Sequence, residues 1–270
     1  KIKQDMKIHG TAKGGAIGKK DFGVAFGGGN GDTYPDSLGS DANIDETNCT
    51  IDTSEKILGV GSLSLNGSSA YGDLDGSASD YGFLTEAFSL SMWLYPTDIG
   101  HKDIIFDNCD VETNNVGFYC RFNVSGADNK ILVSFCNNGA SDNFETTAVW
   151  TTDEWQLFQV LYDGSTMTVY RNGVNVGSAS ASAFSVTPSF LPRIGWGANG
   201  NDNKYTGLID DMVLFDERII SSGERASLYN SGSGELVSTV FASGDRSGLK
   251  VYYNMDEITA DVILNNAIPT

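Results

Sequence analysis

Tyr205-Thr206-Gly207-Leu208-Ile209-Asp210-Asp211-Met212-Val213-Leu214-Phe215-Asp216 frames the rest of this 270-residue chain. From Leu208 to Phe215 the residues are mostly β-branched or large and apolar, which is the composition of a strand. Two adjacent carboxylates interrupt the run. Neighbours on a strand point to opposite faces, so Asp210 and Asp211 cannot both reach solvent if the strand is sandwiched. One of them turns inward, where a carboxylate requires hydrogen bonds, a cation or a proton. Asp211 shares parity with Ile209, Val213 and Phe215 and is the expected inward residue, either as an ion ligand or as a turn cap.

The same alternation recurs on both sides of this strand. Ser62–Asn66 is a short strand into an Asn-Gly turn. Phe88, Leu90, Met92 and Leu94 share one face of a longer strand, and Pro96 is expected to stop its ladder. Val116, Phe118, Cys120, Phe122 and Val124 line another strand, joined through a loop at 125–129 to one carrying Ile131, Val133 and Phe135. That register sets Cys120 opposite Phe135 and turns Cys136 to the other face with Tyr119. It predicts a buried Cys120 thiol that is not bonded to Cys136. Trp155–Tyr162 places Phe158, Val160 and Tyr162 on one face. Asp163-Gly164 and Asn172-Gly173 are hairpin turns. A strand around Arg193-Ile194 leads into a Gly/Asn loop, Gly195 to Asn203. Ser221-Ser222-Gly223-Glu224 has the pattern of a capping box, predicting a helix of about two turns that Asn230 and Gly232 end.

The sum is roughly twelve short strands, one short helix and many tight turns, the pattern of an all-β antiparallel sandwich or barrel. Residues 1–35 form a Gly-rich N-terminal arm; its glycines lack the GK[ST] sequence and following helix of a phosphate loop. Residues 36–232 are the sandwich, within which 36–60 is a polar excursion with little regular structure. Residues 233–270 are a C-terminal extension with one strand, Leu249–Glu257.

Composition narrows the function. With 17 basic against 35 acidic residues the net charge is −18, which excludes a nucleic-acid partner and suits a solvated acidic surface or attraction for Ca²⁺. No apolar run approaches the ~18 residues of a membrane span, so no membrane insertion is expected. The chain opens at Lys1 without a secretory leader pattern, as a processed precursor or a partial chain would. Cys49, Cys109, Cys120 and Cys136 form no CxxC pair, and the two histidines, His9 and His101, lie far from them, so no zinc site is expected.

Gly61–Gly67, Phe88–Pro96, Trp155–Gly164, Val169–Gly173, Gly207–Phe215 and the helix at Ser221–Tyr229, in that order, resemble the laminin-G-like jelly rolls of the concanavalin A-like lectin/glucanase superfamily. The resemblance implies a two-sheet antiparallel jelly-roll sandwich acting as a non-catalytic surface module that binds glycans or cell-surface polysaccharide. It also implies a structural Ca²⁺ held by Asp210 or Asp211 with backbone carbonyls. Similar arrangements are familiar in surface proteins of marine microbes and their viruses, which points to an extracellular, cell-surface or virion-surface location. A structural subunit is the alternative, its arm and tail locking copies or neighbouring structural proteins into a shell, lattice or fibre. A glycan-cleaving enzyme stands third. The hydrolases of this superfamily carry an ExDxxE strand; Asp107–Glu112 offers one Glu in a loop, Asp153-Glu154 merely precedes a strand, and two histidines make a triad improbable.

For sugar, the expected site is Trp196, freed by flanking glycines, with Asn199, Asn201 and Asp202 supplying hydrogen bonds. The competing reading has Trp196 plugging the end of the sandwich. Asn137-Asn138-Gly139 with Asp142-Asn143 is a second polar loop. Core packing is expected of Trp93, Trp150 and Trp155.

Overall fold

Alternating apolar side chains give sixteen strands among the described residues of this computed structural model. It describes residues 44–256 except 75, 110–115, 124–128, 138, 183–187, 189, 199, 201–203 and 242–245, together with 262–263. The expected arm at 1–35 lies outside the described residues. In chain order the first strands are β1 (Ile44–Thr47), β2 (Thr50–Asp52), β3 (Ser62–Asn66), β4 (Tyr71–Leu74), β5 (Phe88–Asp98) and β6 (Ile104–Asp107). Next come β7 (Gly117–Asn123), β8 (Lys130–Asn137), β9 (Ala140–Glu145), β10 (Gln156–Tyr162), β11 (Thr166–Arg171) and β12 (Val174–Ser180). The last are β13 (Arg193–Ile194), β14 (Thr206–Asp216), β15 (Leu249–Tyr253) and β16 (Val262–Ile263). Two short helices, α1 (Ser222–Tyr229) and α2 (Val237–Val240), lie between β14 and β15.

The strands form two sheets, one ordered β16-β1-β4-β13-β6-β7-β8-β9 and the other β12-β11-β10-β5-β14-β3-β2, with β15 also paired to β14. The fold is the two-sheet jelly-roll sandwich. Phe88, Leu90, Met92 and Leu94 from β5 meet Phe118, Cys120 and Phe122 from β7, and Ile131, Val133 and Phe135 from β8, in the core between the sheets. Phe158, Val160 and Tyr162 join them from β10. The pairing of β7 with β8 is two residues from the expected register, with Cys120 opposite Val133 and Phe118 opposite Phe135. A shift of two leaves every side chain on its face, so Cys120 is buried in the core and Cys136 lies on the other face with Tyr119. None of the four cysteines is in a disulfide.

Four local expectations change. The polar excursion holds β1 and β2, strands of four and three residues whose pairing, of β1 with β4 and β16 and of β2 with β3, outweighs their composition. Residues Ala140–Glu145, expected as loop, are β9, paired along β8. Pro96 does not end β5: its partner across the ladder is Gly207, and on the other side its carbonyl accepts the Asp153 N–H at 2.9 Å. Gly207 has φ +145, and a Cβ there would strike the Tyr95 carbonyl, so only glycine admits this close approach.

The fourth change concerns the Asp pair. Between Asp210 and Val213 the ladder to β5 shifts by one residue, a β-bulge, with Asp211 in the left-handed region at φ 44. Parity breaks there. Ile209, Met212 and Leu214 face the inter-sheet core, while Val213 and Phe215 face outward. Outward does not mean exposed. A second apolar cluster covers that end of the sheet, in which Trp93, Leu157, Leu161, Val213 and Phe215 pack under Ile220, Leu228, Val237, Phe241, Leu249 and Tyr252. The capping box that starts α1 is present, Ser221 bonding Glu224 reciprocally, and Asn230 ends the helix at φ 42. β15 is thus a strand of the sandwich, supplied by the segment 233–270.

Candidate functional site

Both carboxylates of the Asp pair are buried on the outer side of β14. One oxygen of Asp210 accepts the N–H groups of Ile57 and Leu58, each at 3.1 Å, and the other accepts the Asp211 N–H at 2.9 Å. Asp211 accepts the Tyr252 hydroxyl at 2.7 Å. Burial, and for Asp210 the neighbouring Asp211 charge, push the pair above the ordinary carboxylate range, while these donors pull it back. Ca²⁺ needs six to eight oxygen ligands. Here the carboxylate oxygens face the positive ends of N–H and O–H groups, and among the described residues no three acidic, His or Cys side chains converge. Asp210 acts as the cap of the 57–58 turn.

Trp196 is half-buried, and its ring is engaged. Tyr71 meets it edge-on at 5.0 Å, the Lys204 ammonium sits 3.6 Å from its centroid, and the Arg193 guanidinium lies 5.3 Å away. Arg193 is itself held by both oxygens of Asp73, at 2.6 and 3.0 Å. A ring whose face carries an ammonium is not an open platform for a sugar. Asn199, Asn201 and Asp202 lie outside the described residues.

A cleft of about 350 Å³ opens elsewhere, at the end of the outer sheet face that the helices and β15 do not cover. Ser64 of β3, Tyr95 and Thr97 of β5 and Leu208 of β14 form its floor, and Asp52, Glu55 and Asp153 its rim. Local chemistry orders each rim residue. Asp52 accepts Ser54 N–H at 2.7 Å, the Ser54 hydroxyl at 2.6 Å and Glu55 N–H at 3.0 Å, an Asx-turn that presents Glu55 and holds the Asp52 carboxyl below its ordinary value. The Glu55 carboxylate then accepts the Trp155 indole N–H at 2.8 Å. Asp153 sits at φ 61 in the turn pinned to Pro96. Trp155, half-buried, packs against the outer apolar cluster and leans on Tyr95 with ring centroids 5.4 Å apart and planes at 56°. Desolvation first, then the charges of Glu55 and Asp153, raise the Tyr95 phenol. Trp93 and Trp150 are buried, as expected of packing residues.

The arrangement couples two aromatic rings to carboxylate acceptors from two separate loops. Sequence reasoning passed over it because Trp155 is expected to pack in the core and Tyr95 is not singled out. The available signal was that Tyr95 falls on the face of β5 opposite Phe88, Leu90, Met92 and Leu94.

Sandwich, bulged β14 and trailing helix define a laminin-G-like jelly roll. The chain belongs to the concanavalin A-like lectin/glucanases superfamily, whose family model matches residues 66–224. No curated protein matches the sequence. Among solved structures, it is similar to domain 4 of AbnA, an extracellular GH43 arabinanase of Geobacillus stearothermophilus solved with arabinotriose. The two share 16% identity over 67% of this chain and 80% of that one, with a TM-score of 0.51. It is also similar to the receptor binding domain of a botulinum neurotoxin C/D mosaic serotype, at 14% identity over 73% of this chain and TM-score 0.51. A botulinum neurotoxin type C structure, whose cell entry is described as dependent on two ganglioside molecules, matches at 13% identity and TM-score 0.51. This chain spans about half, 47%, of each neurotoxin chain. Likeness at these identities establishes the fold. Among the described residues no helix is long and apolar enough to cross a membrane.

Proposed function

We propose that this protein is a non-catalytic glycan-binding module and that its site is the cleft lined by Glu55, Tyr95 and Asp153, with Trp155 packed beside Tyr95. One observation carries the reading: a tilted Tyr95–Trp155 pair stands beside carboxylates at the uncovered end of a sheet. The C–H face of a pyranose packs on an aromatic ring, and its hydroxyls donate to carboxylates. Asp52, Glu55 and Asp153 line the cleft without a basic side chain among the described lining residues, which favours an uncharged saccharide over a uronate or sialoside. The arabinotriose and gangliosides associated with the structural relatives support a sugar as ligand. An extracellular, cell-surface or virion-surface location suits such a module and belongs to the same proposal.

The test is a glycan array with wild type, Trp155→Ala, Tyr95→Ala and Trp196→Ala. Binding by wild type should weaken roughly tenfold or more, about 1.4 kcal/mol, in the first two variants and persist in the third. Wild type that binds no glycan would remove the reading. Loss confined to Trp196→Ala would move the site to the 195–203 loop, and release of new reducing ends would make the protein an enzyme.

A further inference from the structure

The Cys109 Sγ lies 3.3 Å from the Cys136 Sγ, although 27 positions separate them in sequence. Both residues are fully buried, in a small cluster with Ile104 and Tyr119 on the outer face of the first sheet. Backbone geometry makes the approach. Asp107 accepts the Cys109 N–H at 2.8 Å, and Asn108 is tied to Phe118 through its side-chain oxygen at 2.7 Å and its own N–H at 3.1 Å. The turn after β6 is therefore stitched to β7 beside β8. Gly117 is the ladder partner of Cys136. It has φ +153, and a Cβ there would stand 2.6 Å from the Cys109 Cβ. The missing side chain is the slot through which Cys109 reaches Cys136.

We propose that Cys109 and Cys136 are a disulfide site, joined when the protein meets a disulfide oxidant. Oxidised glutathione supplies the balance. Before folding buries the pair, one of the two thiolates attacks one glutathione sulfur, breaking the S–S bond and expelling one thiolate. The other cysteine then gives up its proton and attacks the sulfur of the first, expelling the second thiolate. The thiol pair loses two electrons and two protons, and two glutathione thiols form. In the folded protein burial raises the Cys109 thiol, while hydrogen bonds from Cys109 first, and from Ser134, lower that of Cys136. Cys49 and Cys120 belong to the inter-sheet core and remain thiols.

Protein equilibrated with oxidised glutathione during refolding, then denatured, alkylated and peptide-mapped, should show label on Cys49 and Cys120 and a linked Cys109–Cys136 peptide. Reduction should lower Tm by about 10 °C, the effect of a closed loop of this size. A Cys109→Ser/Cys136→Ser variant should melt identically with and without reductant. Four labelled cysteines after equilibration, or a bridge using Cys49 or Cys120, would overturn the proposal. The wild-type map decides even if the double variant does not fold.

Discussion

Trp93 and Tyr95 stand two residues apart on one face of β5, yet their surroundings differ. Trp93 is 2% exposed, its ring stacked 6.0 Å from that of Tyr229 in α1. Tyr95 remains half-buried at the mouth of the cleft. The strand cannot distinguish them; what covers the sheet does. α1, α2 and β15 bury one end of the outer face, and the other end is left to loops rich in carboxylates. Asp210 and Asp211 mark the divide, fastening segment 57–58 and Tyr252 at the place where apolar cover gives way to cleft. In this sandwich the open cleft arises where covering stops rather than where a special strand begins.

The severest way to break the comparison is to remove the cover. Truncation after residue 232 deletes Val237, Phe241, Leu249, Val251, Tyr252 and Tyr253 from the two buried clusters. At about 1.5–3 kcal/mol for each buried side chain, the loss meets or exceeds a typical total stability of about 5–15 kcal/mol. The truncated protein should show no cooperative melt by circular dichroism. Phe215→Ala, at the covered end, should cost about 3–5 kcal/mol in urea unfolding. Tyr95→Ala, at the open end, should cost no more than about 1 kcal/mol. Equal costs would mean that the two ends do not differ as described. Asp210→Ala strands the N–H groups of Ile57, Leu58 and Asp211 and should cost about 1–3 kcal/mol.

The last test is pH dependence. The folded pair has raised pKa values, so its contribution to stability is fully present below the ordinary carboxylate range and is lost as pH rises through the folded values. Between about pH 5 and about pH 9 the wild type should lose stability that an Asp210→Asn/Asp211→Asn variant does not lose. Parallel pH profiles would show that the pair does not titrate in this window.

The sandwich was legible because its signals are local and repeated. Strict alternation at 88–94 and 158–162, the Asn-Gly and Asp-Gly turns and the Ser221–Glu224 box each name an element without help from the rest of the chain. The bulge was not legible: one inserted residue leaves no composition signature, and it reversed the parity assigned to Val213 and Phe215. β1, β2 and β9 were missed because polar strands owe their existence to the neighbour that pairs with them. The cleft gathers Asp52, Glu55, Ser64, Tyr95, Thr97 and Asp153, which only the folded topology brings together. Trp196 looked accessible for the opposite reason, since glycine-rich flanks suggest exposure while Arg193 and Lys204 occupy the ring.

β14 carries a consequence for the order of assembly. One of its edges runs the length of β5; the other is divided end to end, residues 206–209 pairing with β3 and 212–215 with β15. The strand that crosses the middle of the sheet is therefore half unzipped until a segment made well after it arrives. Such long-range closure is slow, and the waiting half-edge, flanked by Val213 and Phe215, is a sticky intermediate. During synthesis this protein completes its sheet late, and the interval before β15 docks is when neighbouring chains have their best opportunity to pair with it.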